Sequence, residues 1–307
     1  MIKKLILNLA LVFSAVFILD FTIGRVIRHF YFTQKSGDNY RTMYAMEIMN
    51  ADVTVFGSSQ ANHHYVPKVF EDSLKLTFYN AGRDGQGIFY HLAILRSVLK
   101  RYTPKIIILD YSESFKEDKH DYDKIACLLP FYRTNMEIRS IVELRSPYEK
   151  IKLFSEIYPF NSEVLTTAIA NLDYNKKRRP DSKGYLPLFE KWQGKIDSVY
   201  SYGSYNSSQL DSNKVNAFKE FVSTAKSTGA QVYVISSPVF IKFFKNQDIE
   251  MANVICASEN VQFLDYSKDN NFLNNNQLFS NVGHLNDYGA QLFSRMVVKR
   301  IKNNISK

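Results

Sequence analysis

From residue 50 onward, short apolar runs rich in β-branched residues alternate with stretches of helical periodicity. The apolar runs are continuous, which is typical of strands buried on both faces of a sheet. They predict five strands, at residues 53–56, 77–79, 105–110, 231–235 and 261–265. Strands separated by helices indicate a parallel sheet, because each helix carries the chain back across the face of the sheet.

Three further stretches place apolar residues three or four positions apart, which is the spacing of one helix face. These residues are Ile88, Leu92, Leu95 and Leu99; Val215, Phe218, Phe221 and Ala225; and Ala290, Phe293, Val297 and Ile301. Gly229 is suited to end the second of these helices before the fourth strand. The pattern predicts an α/β fold: a three-layer α/β/α sandwich around a flavodoxin-like, doubly wound sheet of five parallel strands.

The amino terminus carries an apolar run at residues 5–23. At 1.5 Å per residue this run just crosses a hydrocarbon core of about 30 Å. No small-residue cleavage pattern follows it, so we expect an uncleaved signal anchor at residues 1–33. The polar residues Asn8 and Asp20 favour the alternative, a buried or amphipathic helix of a soluble protein.

The basic residues on the two sides of the run are balanced, with Lys3 and Lys4 before it and Arg25, Arg28 and Lys35 after it. Charge therefore does not decide the orientation. Because long domains translocate largely regardless of charge, we expect the main domain on the extracytoplasmic side of the membrane, in the periplasm or at the cell surface.

The main domain is predicted to cover residues 34–307, with an insert at about 115–210 that breaks the α/β rhythm. The insert follows the third strand, at the sheet edge where ligands usually enter, so it is either a lid that contacts substrate or a solvated elaboration. Within it, Lys176-Lys177-Arg178-Arg179 is either a polyanion site or, more simply, a solvated turn.

Composition narrows the function classes. The chain of 307 residues is 45% hydrophobic with a net charge of +9, but its charged fraction of 22% is ordinary, so we expect no nucleic-acid partner. Cys127 and Cys256 lack metal-ligand spacing and are interpreted as buried apolar side chains. The adjacent pair His63-His64 is not interpreted as a metal site, because neighbouring residues of an extended chain point to opposite sides.

Candidate catalytic residues lie where predicted strands end. Ser59 follows the first strand, with Gly57 two positions before it; a glycine-rich turn at 82–87 follows the second; His284 precedes the last helix. Parallel strands bring such loops together at one sheet edge. A serine nucleophile, a histidine base and backbone N–H groups at an oxyanion, here those of Ser59 and Gly85, suffice for acyl transfer.

These segments resemble the motif blocks of the SGNH (GDSL-like) hydrolases, and the body of the chain is similar to the membrane-anchored members associated with bacterial cell-surface polysaccharides. The blocks are Val55-Phe56-Gly57-Ser58-Ser59, Asn80-Ala81-Gly82-Arg83-Asp84-Gly85, and His284-Leu285-Asn286-x-x-Gly289-Ala290-x-x-Phe293-Ser294. The resemblance implies that Ser59 is the nucleophile, that Gly85 supplies an oxyanion-hole amide and that His284 is the base.

Two positions depart from that pattern. Where the family has Asp three positions before the histidine, this chain has Asn281, which can orient the imidazole but adds no charge. Asp265 or Asp287 could supply a carboxylate in its place. A Ser-His dyad is the simplest arrangement. The family has a further block after the third strand that brings an Asn to the oxyanion hole; here Tyr111-Ser112-Glu113-Ser114 follows that strand, so Asn62 or Ser114 is expected as any third oxyanion donor.

Simpler interpretations exist for each residue. Ser59 could cap a helix that begins near Asn62, the glycines could serve only the turn, and His284 could be an ordinary loop histidine. The glycine spacing is not that of a dinucleotide site, and we expect neither a metal nor an organic cofactor.

The sequence thus predicts a serine-dependent ester hydrolase or O-acetyl transferase that acts on acylated glycan, or on a small ester, in the cell envelope. The alternative is a catalytically weak or inactive SGNH-like scaffold that binds glycan or a membrane acyltransferase partner.

Overall fold

A computed structural model describes residues 1–172, 183–194, 199–202 and 209–305. The basic stretch Lys176–Arg179 lies outside the described residues.

The described chain contains nine strands. They are β1 (Val53–Gly57), β2 (Phe78–Asn80), β3 (Ile106–Asp110), β4 (Val199–Tyr202), β5 (Gln231–Ser236), β6 (Lys242–Asn246), β7 (Gln262–Asp265), β8 (Phe279–Asn281) and β9 (His284–Leu285). Five of them form one sheet in the order β2-β1-β3-β5-β7, with every pairing parallel. The predicted five-stranded parallel sheet is therefore confirmed. The pair β4·β6 and the antiparallel pair β8·β9 were not predicted.

The described chain also contains thirteen α-helices and several 3₁₀ turns. The helices are α1 (Ile2–Phe32), α2 (Gly37–Glu47), α3 (Ser59–His64), α4 (Pro67–Leu74), α5 (Ile88–Leu99), α6 (Lys119–Lys124), α7 (Arg139–Glu143), α8 (Glu149–Lys152), α9 (Val164–Asn171), α10 (Ser212–Ser227), α11 (Gln247–Ser258), α12 (Asn270–Leu273) and α13 (Asp287–Ile305). The 3₁₀ turns include Ile125–Phe131, Met136–Ile138, Tyr158–Phe160 and Asn276–Leu278.

Helices cover both faces of the sheet because side chains alternate along each strand. Val53 and Val55 of β1 belong to the same buried cluster as Phe293 of α13, together with residues of α3 and α4. Phe56 points to the opposite face and packs on Phe221 of α10, with ring centroids 5.4 Å apart. The predicted three-layer sandwich is thus confirmed.

The contacts divide the chain into two compact units. The α/β unit comprises Tyr44–Lys124 and Asp181–Lys307, and it contains the sheet and every predicted site residue. The anchor unit comprises Met1–Met43 and Ile125–Pro180, so it joins the N-terminal helix to part of the predicted insert. The predicted division into residues 1–33 and 34–307 stays a prediction.

Helix α1 is the candidate membrane anchor or signal sequence. Among the described residues it is the one helix long and apolar enough to cross a membrane, and none of its most apolar 18-residue window is buried. Its last turns pack within the anchor unit, where the Tyr31 ring lies 5.4 Å from that of Phe160.

Candidate active site

Ser59 stands at the turn from β1 into α3, and the local backbone explains the glycine before it. Gly57 has a φ of +144°, and a Cβ there would lie 2.7 Å from the backbone oxygen of Asp110 on the neighbouring strand. Only glycine fits this close approach. The helix begins at Ser59 with Ser58 in the N-cap position, so the alternative in which Ser59 caps a later helix is wrong. The Ser59 hydroxyl contacts His284 instead.

His284 is brought to Ser59 by the short antiparallel pair β8·β9. Its Nε2 lies 2.7 Å from the Ser59 hydroxyl oxygen, although the two residues are 225 positions apart in the chain. Two contacts hold this strand pair against α3 and α13. The backbone N–H of Leu285 donates to Nε2 of His64 in α3 at 3.0 Å, and Asn286 accepts from the N–H of Gly289 in the first turn of α13.

The far nitrogen of His284 meets an amide. Its Nδ1 lies 2.9 Å from Oδ1 of Asn281, and the same oxygen accepts the backbone N–H of Gly283 at 3.0 Å. Because that N–H can only donate, it fixes which amide atom faces the imidazole. Nδ1 must therefore carry the proton, which leaves the Nε2 lone pair to accept from Ser59.

The two alternative carboxylates are engaged elsewhere. Asp265 accepts from the backbone N–H and hydroxyl of Ser267, and Asp287 accepts from the hydroxyl of Tyr185 at 2.8 Å. Neither contacts Nδ1 of His284 among the described residues, so Asn281 is the group that meets the imidazole.

Two imidazoles from α3 surround that of His284. The ring centroid of His63 lies 5.3 Å from that of His284, and the ring centroid of His64 lies 6.2 Å from it. Burial, followed by the positive charge that His63 can carry, holds the pKa of His284 below 6.5, while Asp84 opposes this. His284 is consequently neutral at neutral pH, as a base must be.

His64 is fully buried, and burial holds its pKa well below the ordinary value. Since its Nε2 accepts from Leu285, it is a neutral structural histidine. Within the described part of the chain, no group of three or more His, Cys, Asp or Glu is placed to hold a metal ion.

The glycine-rich turn after β2 lies beside the Ser59 turn. The backbone N–H of Arg83 donates to the carbonyl of Gly57 at 3.0 Å, and a Cβ on Gly82 would lie 2.8 Å from the Cβ of Ala61 in α3. Gly82 therefore permits the turn to touch α3. Gly85 has a φ of +70°, and the position of a Cβ there has no atom within 4 Å, so its backbone faces open space.

The three remaining oxyanion candidates differ in their surroundings. The N–H of Ser59 lies in the first turn of α3, where amides have no acceptor within the helix. Asn62 is buried and donates from Nδ2 to Asp84 at 2.7 Å. Ser114 accepts from Lys116 within its own loop, and among the described residues it has no hydrogen bond to Ser59 or His284.

Asp84 was not singled out from the sequence. Its carboxylate accepts from Asn62 and lies 3.4 Å from Nε2 of His63, while Nδ1 of His63 contacts the carbonyl of Leu186 at 2.6 Å. The available signal was its position inside the glycine-rich turn, one residue before Gly85.

Comparison with known proteins adds a likeness of fold. No protein-family model matches the sequence, and no curated protein matches it significantly. The chain is similar in structure to a candidate acylhydrolase from Bacteroides fragilis, with 11% identity over 89% of this chain and 100% of that chain and a TM-score of 0.40. Any functional conclusion therefore depends on the site itself.

Proposed function

We propose that this protein is a serine-dependent ester hydrolase or O-acyl transferase of the cell envelope, anchored by α1. The observation that carries the proposal is the contact of 2.7 Å between the Ser59 hydroxyl and a His284 imidazole whose other nitrogen is held by Asn281. A hydroxyl paired in this way with a base that is itself oriented is the arrangement of an activated nucleophile.

The reaction follows from these positions. The Ser59 oxygen attacks the acyl carbonyl carbon while His284 Nε2 takes the hydroxyl proton, and the N–H groups of Ser59 and Gly85 donate to the oxyanion. The tetrahedral intermediate collapses, the bond to the alcohol oxygen breaks, and Nε2 returns its proton to the leaving alkoxide. Water or a sugar hydroxyl then attacks the acyl-Ser59, with His284 again accepting the proton; the bond from the acyl carbon to the Ser59 oxygen breaks, and Nε2 returns the proton to Ser59.

Acylated glycan is the proposed substrate class. Its support is the similarity of the body of the chain to membrane-anchored SGNH-like proteins of surface polysaccharide systems, together with the candidate membrane anchor. A membrane acyltransferase is the corresponding candidate partner.

A matched pair of serine variants tests the chemistry. Full-length protein in detergent is treated with a fluorophosphonate probe and assayed for acetate release from a generic acetyl ester and from an acetylated oligosaccharide. We expect labelling and turnover that Ser59→Ala abolishes. The neighbouring Ser58→Ala should retain both, because the Ser58 side chain makes no capping hydrogen bond.

A second candidate, a catalytically weak scaffold that binds glycan, is favoured by the amide at position 281 in place of a carboxylate. A folded wild-type protein that is neither labelled nor active would reject the enzyme and leave this candidate. Acetate release from the oligosaccharide that requires an added acceptor would favour transfer over hydrolysis.

A further inference from the structure

The anchor unit contains apolar side chains that its own fold leaves uncovered. Tyr148, Ile151 and Phe154 are 65%, 65% and 81% exposed. Ile151 lies on α8, Tyr148 directly precedes that helix, and Phe154 follows it. Large apolar side chains at such exposure, within seven positions of the chain, are a candidate surface for contact with another apolar phase.

The hydrogen bonds of Asp20 fix the segment that follows α8 at one level along the length of α1. Its carboxylate accepts from the hydroxyl of Ser155 at 2.5 Å, from the backbone N–H of Glu156 at 2.7 Å and, more weakly, from that of Ile157 at 3.4 Å. One turn further along, Gly24 lies so close to the backbone of Glu156 that no Cβ would fit there. The segment after α8 is therefore held at the level of residues 20–24 of α1.

Phe154 extends this contact toward the apolar part of α1. It lines a pocket of about 440 Å³ together with Phe17 and Phe21, which belong to the apolar run at residues 5–23. If α1 crosses the bilayer, Phe17 and Phe21 lie near the end of its hydrocarbon span, and Phe154 lies at the same depth.

Basic side chains lie around the same pocket. Three of them line it, namely Arg133, Arg139 and Lys150, and the acidic Asp20 and Glu156 line it too, with Glu156 paired to Arg133. On α1 itself, the guanidinium of Arg25 lies over the Phe21 ring at 5.0 Å. Aromatic and aliphatic residues beside cations are the composition of protein surfaces that lie at the boundary between acyl chains and headgroups.

We propose that this surface, formed by Tyr148, Ile151 and Phe154, inserts into the headgroup region of the bilayer that α1 crosses. The anchor unit would then contact the membrane at two places, through the spanning helix α1 and through an interfacial surface that Asp20 holds against α1. The occupant is a phospholipid bilayer, because Phe154 lines one pocket with Phe17 and Phe21 of the apolar run of α1. This inference rests on the proposed membrane insertion of α1.

The same geometry places another exposed residue away from the bilayer. Asn171, at the end of α9, donates to the carbonyl of Phe30 at 2.9 Å. Phe30 is ten residues beyond Asp20, which is about 15 Å along a helix. Leu172, which follows Asn171 and is 50% exposed, is thus a matched apolar position outside the proposed interface.

Tryptophan quenching tests the inference. The single native tryptophan is replaced in a Trp192→Phe background, and Phe13→Trp, Phe154→Trp and Leu172→Trp are introduced separately. Each full-length variant is reconstituted in phosphatidylcholine vesicles that contain no bromine, lipid brominated near the methyl end of its acyl chains, or lipid brominated near their glycerol end. We expect strong quenching of Phe13→Trp by the lipid brominated near the methyl end, a loss of about half of the emission of Phe154→Trp with the lipid brominated near the glycerol end, and little change for Leu172→Trp with either.

The controls separate the two levels of the proposal. Quenching of Phe13→Trp, with Phe154→Trp no more quenched than Leu172→Trp, would overturn the interfacial surface and leave the anchor intact. No quenching of Phe13→Trp would reject membrane insertion of α1 and the surface with it. Neither result bears on labelling of Ser59.

Discussion

Replacing Asn281 with Asp restores a carboxylate opposite His284 without changing the shape of the side chain. In serine proteases, the change from Asp to Asn lowers turnover by about 10⁴, largely because the imidazole adopts the wrong tautomer. Here the Gly283 N–H already turns the Asn281 oxygen toward the ring, so the tautomer is correct. The gain from Asn281→Asp is therefore electrostatic alone.

The size of that gain follows from the geometry. With Nδ1 and Oδ1 2.9 Å apart, the charge centres of a carboxylate and an imidazolium would lie about 4 Å apart, an interaction of about 1 kcal/mol in water and about 4 kcal/mol at an effective dielectric of 20. Asn281 is exposed, which favours the lower end. About 1–2 kcal/mol of imidazolium stabilisation corresponds to roughly a tenfold rise in kcat/KM.

The pH profile gives a second measurement of the same variant. A negative charge favours the protonated imidazole, so it raises the pKa of His284 and moves the acid limb of kcat/KM to higher pH. In the wild type that limb should lie below 6.5, because burial lowers the pKa of His284. Initial rates of ester hydrolysis between pH 4 and pH 9 would show both changes.

Two control variants make the test specific. Asn281→Ala should lower activity, because His284 loses its orienting group. Asn253→Asp adds the same charge on an exposed position of α11 and should leave rate and profile unchanged. If Asn281→Asp moves neither the rate nor the acid limb in an active enzyme, Asn281 does not act on the imidazole and the reasoning is refuted.

Three further predictions concern stability, each measured by urea unfolding. Gly82→Ala should lower the free energy of unfolding by about 1–3 kcal/mol, because its Cβ would overlap that of Ala61 at 2.8 Å. Gly85→Ala introduces backbone strain alone and should lower it by about 1 kcal/mol. Equal losses in the two variants would contradict this account. Phe293→Ala, which empties a fully buried position, should cost about 3–5 kcal/mol, and a cost under about 1 kcal/mol would show that the core is not packed as described. Burial raises the pKa of Asp110 to about 7, which is above the value in the unfolded chain. Ionisation of Asp110 therefore lowers the free energy of unfolding as pH rises from about 4 to 7. The loss is about 1.4 kcal/mol for each unit by which the pKa is raised. Asp110→Asn should remove that slope, and an identical pH dependence in the variant would contradict the raised pKa.

Local sequence was sufficient for the main sheet and its helices. Strands buried on both faces have continuous runs of apolar residues, and the covering helices have apolar residues three or four positions apart. Both patterns can be recognised within a short stretch of sequence. Strand β8 has three residues and β9 has two. Such short strands contain no recognisable alternation of apolar and polar residues, so the pair was not predicted although it carries His284.

What the sequence determined by itself was the fold class, the candidate anchor and the candidate residues Ser59 and His284. Only the tertiary structure decided which group meets the imidazole, since Asn281, Asp265 and Asp287 were all compatible with the spacing. It also decided the surroundings of Asp20, whose polarity argued against a membrane helix until Ser155 and Glu156 were found to satisfy it. The physical reason is the same in both cases: a hydrogen bond depends on position and direction within a few tenths of an ångström, and residues far apart in the chain acquire those only when it folds.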